Sequence, residues 1–283
     1  MEKSLVLGAS GLVGGHIVRH LSKRMRPYGL SREVRTESGV EWIKGDLANP
    51  QSVAWPDVEI IYCTASARLP ADALPYMLKP SLKRVVLFTT TSISTKTDSP
   101  DPEERAGIAA YEEAERDLIS CCGALGVKWT VLRPTLIYEE GKDKNITLIA
   151  RIIADVGFLP LCGRARGLRQ PVHAEDCAIA AISAASTAST EDKIYDLPGG
   201  ETITYSEMIG RIFDGMGRPR FIIPVPPLLW MTAFHFAQHR FPPHIKPAMG
   251  LRMAKDMAFD RSPARSDFRW DPRPFKPSFA RLK

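Results

Sequence analysis

Residues 4–15 read Ser-Leu-Val-Leu-Gly-Ala-Ser-Gly-Leu-Val-Gly-Gly, and this stretch restricts the fold more than any other. The apolar run Ser4–Leu7 suits a buried parallel strand, and a glycine-rich turn follows it at once. Leu12, Val13, Ile17, Val18 and Leu21 then recur at helical spacing. A strand, a Gly8-x-x-Gly11-x-x-Gly14 turn and a helix make the first βα unit of a dinucleotide-binding fold. Gly8 allows the tight turn, Gly11 lets backbone approach a pyrophosphate, and Gly14 lets helix pack closely on sheet. The helix N-terminus offers unpaired N–H groups and the positive end of its dipole to phosphates. Gly8, Ser10, Gly11, Leu12, Val13 and Gly14 are therefore candidate cofactor contacts. Glycine turns also simply join strands to helices; the strand before and the helix after select the binding reading.

The pattern continues along the chain. Tyr28–Ser31 reads as a second strand, Val40–Lys44 as a third and Glu59–Ala65 as a fourth. The small residues Thr64 and Ala65 at the end of the fourth would let a cofactor lie across it. Pro50, Pro56, Pro70 and Pro75 are expected to limit helices in the connections on either side. Arg84–Phe88 is a fifth strand, followed by the hydroxyl-rich run Thr89-Thr90-Thr91-Ser92. A helix from about Glu103 to Leu125 leads into a sixth strand at Trp129–Leu132. Such alternation implies an α/β fold with a doubly wound parallel sheet. Farther on, helices fit Ile146–Val156 and Glu175–Ala185, and Thr204-Tyr205-Ser206-Glu207 opens a capping box. Short strands fit Ile194–Leu197 and Phe221–Ile223. The expected division is a cofactor domain over 1–165, then a mixed part over 166–283 that completes the sheet and forms a small substrate lobe. At the second strand end, where an acidic residue usually holds the ribose 2′-hydroxyl, stand Ser31 and Arg32. A guanidinium there pairs with a 2′-phosphate, which favours NADP over NAD; alternatively Arg32 is a plain surface residue.

At 283 residues the chain can bury a sizeable core. Its 38 Lys+Arg against 32 Asp+Glu make it modestly basic without any dense cationic block, which argues against nucleic acid and for a small anionic partner. Five cysteines (Cys63, Cys121, Cys122, Cys162, Cys177) without C-x-x-C spacing fit free thiols in a reducing compartment. A strand that starts within a few residues of Met1, with no long unbroken apolar run, points to a cytoplasmic protein without a transmembrane segment. The aromatic and proline-rich stretch around Trp230–Phe241 covers the core, touches a membrane surface peripherally or joins a partner. A monomer and a homodimer both remain open.

Taken together, the motifs resemble the extended or atypical short-chain dehydrogenase/reductase superfamily, in its NAD-dependent epimerase/dehydratase branch. The matching pieces are the glycine turn, Gly45-Asp46-Leu47, the run Thr89–Ser92 and Leu132-Arg133-Pro134-Thr135-x-x-Tyr138. Later come Arg169-Gln170-Pro171-Val172-His173-Ala174-Glu175-Asp176 and Asp271-Pro272-Arg273-Pro274-Phe275, in the family's order and over nearly the whole length. The resemblance implies a Rossmann-type sheet. It also implies that Asp46, with Leu47 beside it, holds the adenine end of the cofactor. Thr91 or Ser92 would polarise the reacting oxygen, and Arg133 and Arg169 would border a nucleotide-sugar site. Hydride would pass between the nicotinamide and a substrate carbon, with Tyr111 moving the proton.

The chain departs from the family at one position. The family's Tyr-x-x-x-Lys pair reads here Tyr111-Glu112-Glu113-Ala114-Glu115. A lysine stabilises the phenolate, whereas a glutamate opposes it. Two readings follow: an enzyme acting on an anionic carbonyl or alcohol compound, or a non-catalytic cofactor-binding regulator or assembly subunit. A solvated helix face bearing Tyr111 and its glutamates is equally open. On the catalytic reading, Glu115→Lys restores the cation, lowers the tyrosine's titration midpoint and strengthens cofactor binding. Arg164, Arg166 and Arg169 either grip a diphosphate or form a solvated loop. His173 lacks a second histidine at ligand spacing, so no metal is expected; it reads as a residue at a helix start, with Asp176 in the first turn.

Overall fold

Side-chain alternation along short central strands decides the layering. The structure, a computed structural model, describes residues 3–65, 68–230, 232 and 250–279. In β1 (Ser4–Leu7), Leu5 and Leu7 face one side and Val6 the other, and the two sides enter different cores. α1 (Leu12–Leu21), β2 (Tyr28–Ser31), β3 (Glu41–Lys44), β4 (Ile60–Cys63), α2 (Arg68–Met77) and β5 (Arg84–Phe88) follow in order. Next come α3 (Ser92–Thr95), α4 (Pro102–Leu125), β6 (Lys128–Pro134), β7 (Ile137–Tyr138), α5 (Ile146–Val156), β8 (Leu159–Cys162), β9 (Leu168–Arg169) and β10 (Val172–His173). The last are α6 (Ala174–Ala185), β11 (Lys193–Leu197), β12 (Ile203–Thr204), α7 (Tyr205–Gly215), β13 (Ile222–Val225) and α8 (Ser262–Phe268).

Seven strands form one sheet in the order β11-β6-β5-β4-β1-β2-β3, every pair parallel. α1, α6 and α8 cover the face carrying Val6, Ile60, Tyr62, Val86 and Leu132. α2 and α4 cover the face carrying Leu5, Leu7, Ile61, Val85 and Val131. This is the Rossmann-type, doubly wound α/β fold. Because order reverses at β1, the carboxyl ends of β1 and β4 flank the crevice where such sheets bind ligands.

α2 corrects one expectation. Pro70 and Pro75 do not keep this connection free of helix; Pro75 lies inside α2. Pro70 sits in the first turn, where no intrahelical N–H bond is lost. Burial of Ala73, Leu74 and Met77 against α4 residues Leu118 and Cys122 outweighs the bond that Pro75 removes.

A third core lies outside the sheet. Tyr138, Ile146, Ile153 and Leu161 meet Ile209, Phe213 and Phe275, so residues on either side of 165 share it. The paired strands β8 and β13, β7 and β10, and β9 and β12 frame it. The capping box opening α7 forms by half. Thr204 Oγ1 accepts from the Glu207 N–H at 3.1 Å, while Glu207 itself pairs with Arg211 and Arg220 at 3.0 and 2.8 Å. The C-terminal segment straps back over α6: Arg273 donates to Asp176 at 2.9 Å and to Glu175 at 2.9 Å. Hydrogen bonding from Arg273 holds the Glu175 carboxyl down to about 2. All five cysteines are unpaired. No helix among the described residues is long and apolar enough to cross a membrane. The stretch beyond Trp230 falls largely outside the described residues, and with it the alternatives for its role.

Candidate functional site: the glycine turn and its cleft

The turn after β1 is made for close approach. Gly8 has φ +79°, a left-handed conformation, and a Cβ there would meet Ala65 N and Thr64 Oγ1 at 2.8 Å. Gly11 N donates to Gly8 O at 2.8 Å, closing the turn. A Cβ on Gly14 would lie 2.1 Å from Gly8 O and 2.7 Å from Thr64 Oγ1. Thr64 fastens the turn to the end of β4, its Oγ1 donating to Leu7 O at 2.9 Å. Gly11 caps α1 without a side chain, which leaves the helix start open to an anion. Gly14→Ala should therefore push α1 off the sheet, costing about 1–3 kcal/mol by overpacking. Urea denaturation with a parallel dinucleotide titration would show both losses; unchanged values would mean that α1 does not sit against Gly8.

A cleft of about 720 Å³ opens at this end of the sheet. Ser10, Gly11, Leu12 and Val13 of the turn line it, together with Thr64 and Ala65 at the end of β4. Phe88 and Thr89 of the β5 end, Pro134 of β6 and Tyr111 of α4 form the adjoining wall. The segment from Glu139 to Asn145 closes another side. Gly8 and Gly14 are not in the cleft lining; they let the turn, Thr64 and α1 pack tightly behind it, while Gly11 lines the cleft at an open helix start beside the switch point of the sheet, an arrangement that fits a dinucleotide diphosphate.

Glu115 is not on a solvated face. Glu112 and Glu113 are exposed, but Glu115 is 4% exposed, and its carboxylate takes three donors. Thr89 Oγ1 donates at 2.8 Å, Arg133 Nε at 3.1 Å, and Arg133 Nη2 completes a forked contact. That bond to Glu115 raises the Arg133 pKa. Where the family pattern has a lysine, this chain has a buried carboxylate with a guanidinium clamped on it. Tyr111, one helical turn earlier, is 38% exposed and lines the cleft.

The other sequence-derived residues fall in several places. Thr91 is 6% exposed; its hydroxyl donates to Pro134 O at 3.1 Å, and neither it nor Ser92, which starts α3, is in the cleft lining. Of the hydroxyl run, the residue in the cleft lining is Thr89. Arg32 is exposed just past β2 with no partner among the described residues. Arg35, by contrast, lies over Trp42 and donates to Glu37 at 2.8 Å. Asp46 accepts from Ala48 N at 3.0 Å in a local turn, and Leu47 is buried in the core. Arg133 is committed to Glu115 rather than to the cleft. Arg169 is 7% exposed, donates to the carbonyls of Arg252 and Lys255 at 2.6 and 2.8 Å, and stacks on Tyr205. Only Arg164 and Arg166 of that trio are exposed, and they line a separate cleft of about 460 Å³ with Thr204 and Ser206.

Some cleft residues carried no usable signal in the sequence. His16 on α1 is 5% exposed; its Nδ1 accepts from Arg19 at 3.1 Å and its Nε2 lies 3.0 Å from Glu139 Oε2. Burial lowers its pKa, with Glu139 opposing. This contact ties α1 to the loop after β7, and a lone histidine on a helix gives no hint of such a partner. Thr89 stood within the hydroxyl run, but nothing local separates it from Thr91. His173 caps α6, its Nδ1 accepting from Glu175 N at 3.1 Å. No group of three metal-ligating side chains occurs among the described residues.

Comparison with known proteins agrees with this geometry. The NAD(P)H-binding family model matches residues 8–152, just over half of the chain. A UDP-glucose 4-epimerase from Vibrio cholerae is 19% identical over 262 residues, covering 80% of each chain. Among solved structures, the UDP-glucose 4-epimerase of Thermotoga maritima with UDP-glucose superposes at TM-score 0.68, with 14% identity over 96% of this chain and 94% of the other. The dTDP-glucose 4,6-dehydratase of Bacillus anthracis with NAD gives 0.69, with 16% identity over 96% and 92%. At such identities these structures share the fold, which is that of the epimerase/dehydratase enzymes.

Proposed function

Because the chain belongs to the NAD(P)H-binding family, we propose that it is an NAD(P)-dependent oxidoreductase or epimerase acting on a nucleotide sugar or a similar anionic alcohol or carbonyl compound. The observation that carries this reading is one cleft shared by the glycine turn, Thr64, Ala65 and Tyr111. The open amides at the start of α1 bind the diphosphate; Gly11 gives it room, and Gly8 and Gly14 let the turn, β4 and α1 pack closely enough to form the site. A nicotinamide dinucleotide supplies hydride acceptance and donation when bound. Tyr111, half exposed on the cleft wall, moves the proton at the substrate oxygen. Arg164 and Arg166, exposed in the second cleft and without a partner among the described residues, supply cations for substrate phosphates. No observation favours a non-catalytic role. Incubation with NAD(H) or NADP(H) and a panel of nucleotide sugars should give turnover; bound dinucleotide without turnover across the panel would remove the enzymatic reading.

Arg32 supports a preference for NADP(H). An exposed guanidinium just past β2 stands where the ribose 2′ substituent is met in such folds. Pairing with a 2′-phosphate contributes about 1.5–3 kcal/mol, or roughly ten- to hundredfold in affinity. NADPH should bind that much more tightly than NADH, and Arg32→Asp should erase or reverse the difference in fluorescence titrations. Equal affinities in the unmodified protein would return Arg32 to the plain surface.

A further inference from the structure

The strands that frame the third core leave one apolar face uncovered. Among the described residues β13 pairs only with β8, so it is an edge strand. Phe221, just before it, is 60% exposed and meets Phe158 edge to face at 6.3 Å, next to exposed Val156. Ile223 on the strand is exposed as well. The chain then enters helix at 227–230, where Leu228 and Leu229 are 78% and 57% exposed. A single exposed leucine is ordinary, but four large apolar side chains standing in solvent between 221 and 229 call for a partner.

Cations frame this face. Arg218 donates to the carbonyls of Ile153 and Ala154 at 2.7 and 3.0 Å, contacts that leave its charge uncompensated. At the other border a Cβ on Gly163 would lie 4.0 Å from Pro227 Cγ, so Arg164 and Arg166 follow directly beside the helix start. Arg220, Arg252 and Lys255 are instead paired with Glu207, Glu104 and Asp98. Asp155, beside Val156, is an exposed acid at the edge of the patch. Between Asp214 and Asp256, however, the sequence carries six Lys or Arg and no Asp or Glu.

We propose that this face docks on an anionic lipid bilayer. Phe221, Ile223, Leu228 and Leu229 enter the boundary between headgroups and acyl chains, and Arg218, Arg164 and Arg166 are drawn to the lipid phosphates. A bilayer offers apolar depth and negative charge at one surface. A second copy of the chain does not, because a two-fold contact sets the patch against itself and brings guanidinium towards guanidinium. Arg164 and Arg166 contribute from within the second cleft, since the attraction reaches about a Debye length from the membrane.

The full chain is sedimented with vesicles of phosphatidylcholine alone and of phosphatidylcholine with phosphatidylglycerol at about 7:3. It should pellet with the anionic vesicles, about tenfold or more weakly with the neutral ones, and release as salt is raised. The double variant Leu228→Asp/Leu229→Asp should weaken vesicle binding about tenfold or more. Its urea midpoint and dinucleotide affinity should stay unchanged, because both side chains already stand in solvent. Phe221→Ser tests the strand side of the face and should act in the same direction. No pelleting with anionic vesicles, or pelleting that both variants leave intact, overturns the proposal. Equal binding to neutral vesicles overturns the anionic assignment. A dimer in analytical ultracentrifugation that the double variant dissociates, without vesicle binding, gives the face to a second copy and overturns the proposal too.

Discussion

Glu115→Lys should destabilise the fold by about 3–5 kcal/mol, the usual cost of removing one partner from a buried ion pair. From the sequence the same change restores a missing lysine and improves the site. The structure adds a stability cost that the sequence does not show. Side chains of Glu115 and Arg133 are only 5% and 20% exposed, and the pair is forked. A lysine at 115 would place its ammonium against the guanidinium and strip Thr89 of its acceptor. Urea melts of Glu115→Lys, Arg133→Glu and the double variant provide the check. The double variant should recover part of the loss, because it rebuilds a pair of opposite charges. Wild-type stability in Glu115→Lys would mean that the ion pair does not form.

Tyr111→Phe should lower turnover by roughly 10²- to 10⁴-fold, the contribution of a positioned proton-transfer group. The substitution removes one oxygen from a residue that is 38% exposed on the cleft wall, so stability should stay within about 0.5 kcal/mol. Dinucleotide affinity should change little, because the glycine turn carries that binding. Steady-state rates on whichever nucleotide sugar is turned over, with a parallel cofactor titration, give both values. A rate equal to the unmodified protein's would return Tyr111 to the helix surface. Glu115, clamped by Arg133, stands where the family pattern has a lysine, so a Tyr111 that moves the proton would do so without a cation one turn away on its own helix.

Local sequence determined much of this protein. The glycine turn was legible because its requirements are local: a positive φ at Gly8 and no Cβ at Gly14 follow from the spacing of a strand end and a helix start. The sheet was legible because short apolar runs such as Ser4–Leu7 alternate with helical segments along the chain, the pattern of parallel strands buried on both faces. Even the neighbourhood of Tyr111 and Glu115 follows from helical periodicity.

Tertiary structure alone decided what those neighbours meet. Thr89 and Arg133 lie 26 and 18 positions from Glu115, so no helical or strand period links them. The sheet order brings β5 and β6 side by side under α4 and turns an apparent loss of lysine into a buried clamp. Arg169 looked available for an anion, yet its guanidinium is taken by carbonyls 83 and 86 positions away. Sequence fixes which groups a chain carries and which are adjacent along one element. Whether a charge is free or spent depends on partners that only folding brings within hydrogen-bond reach.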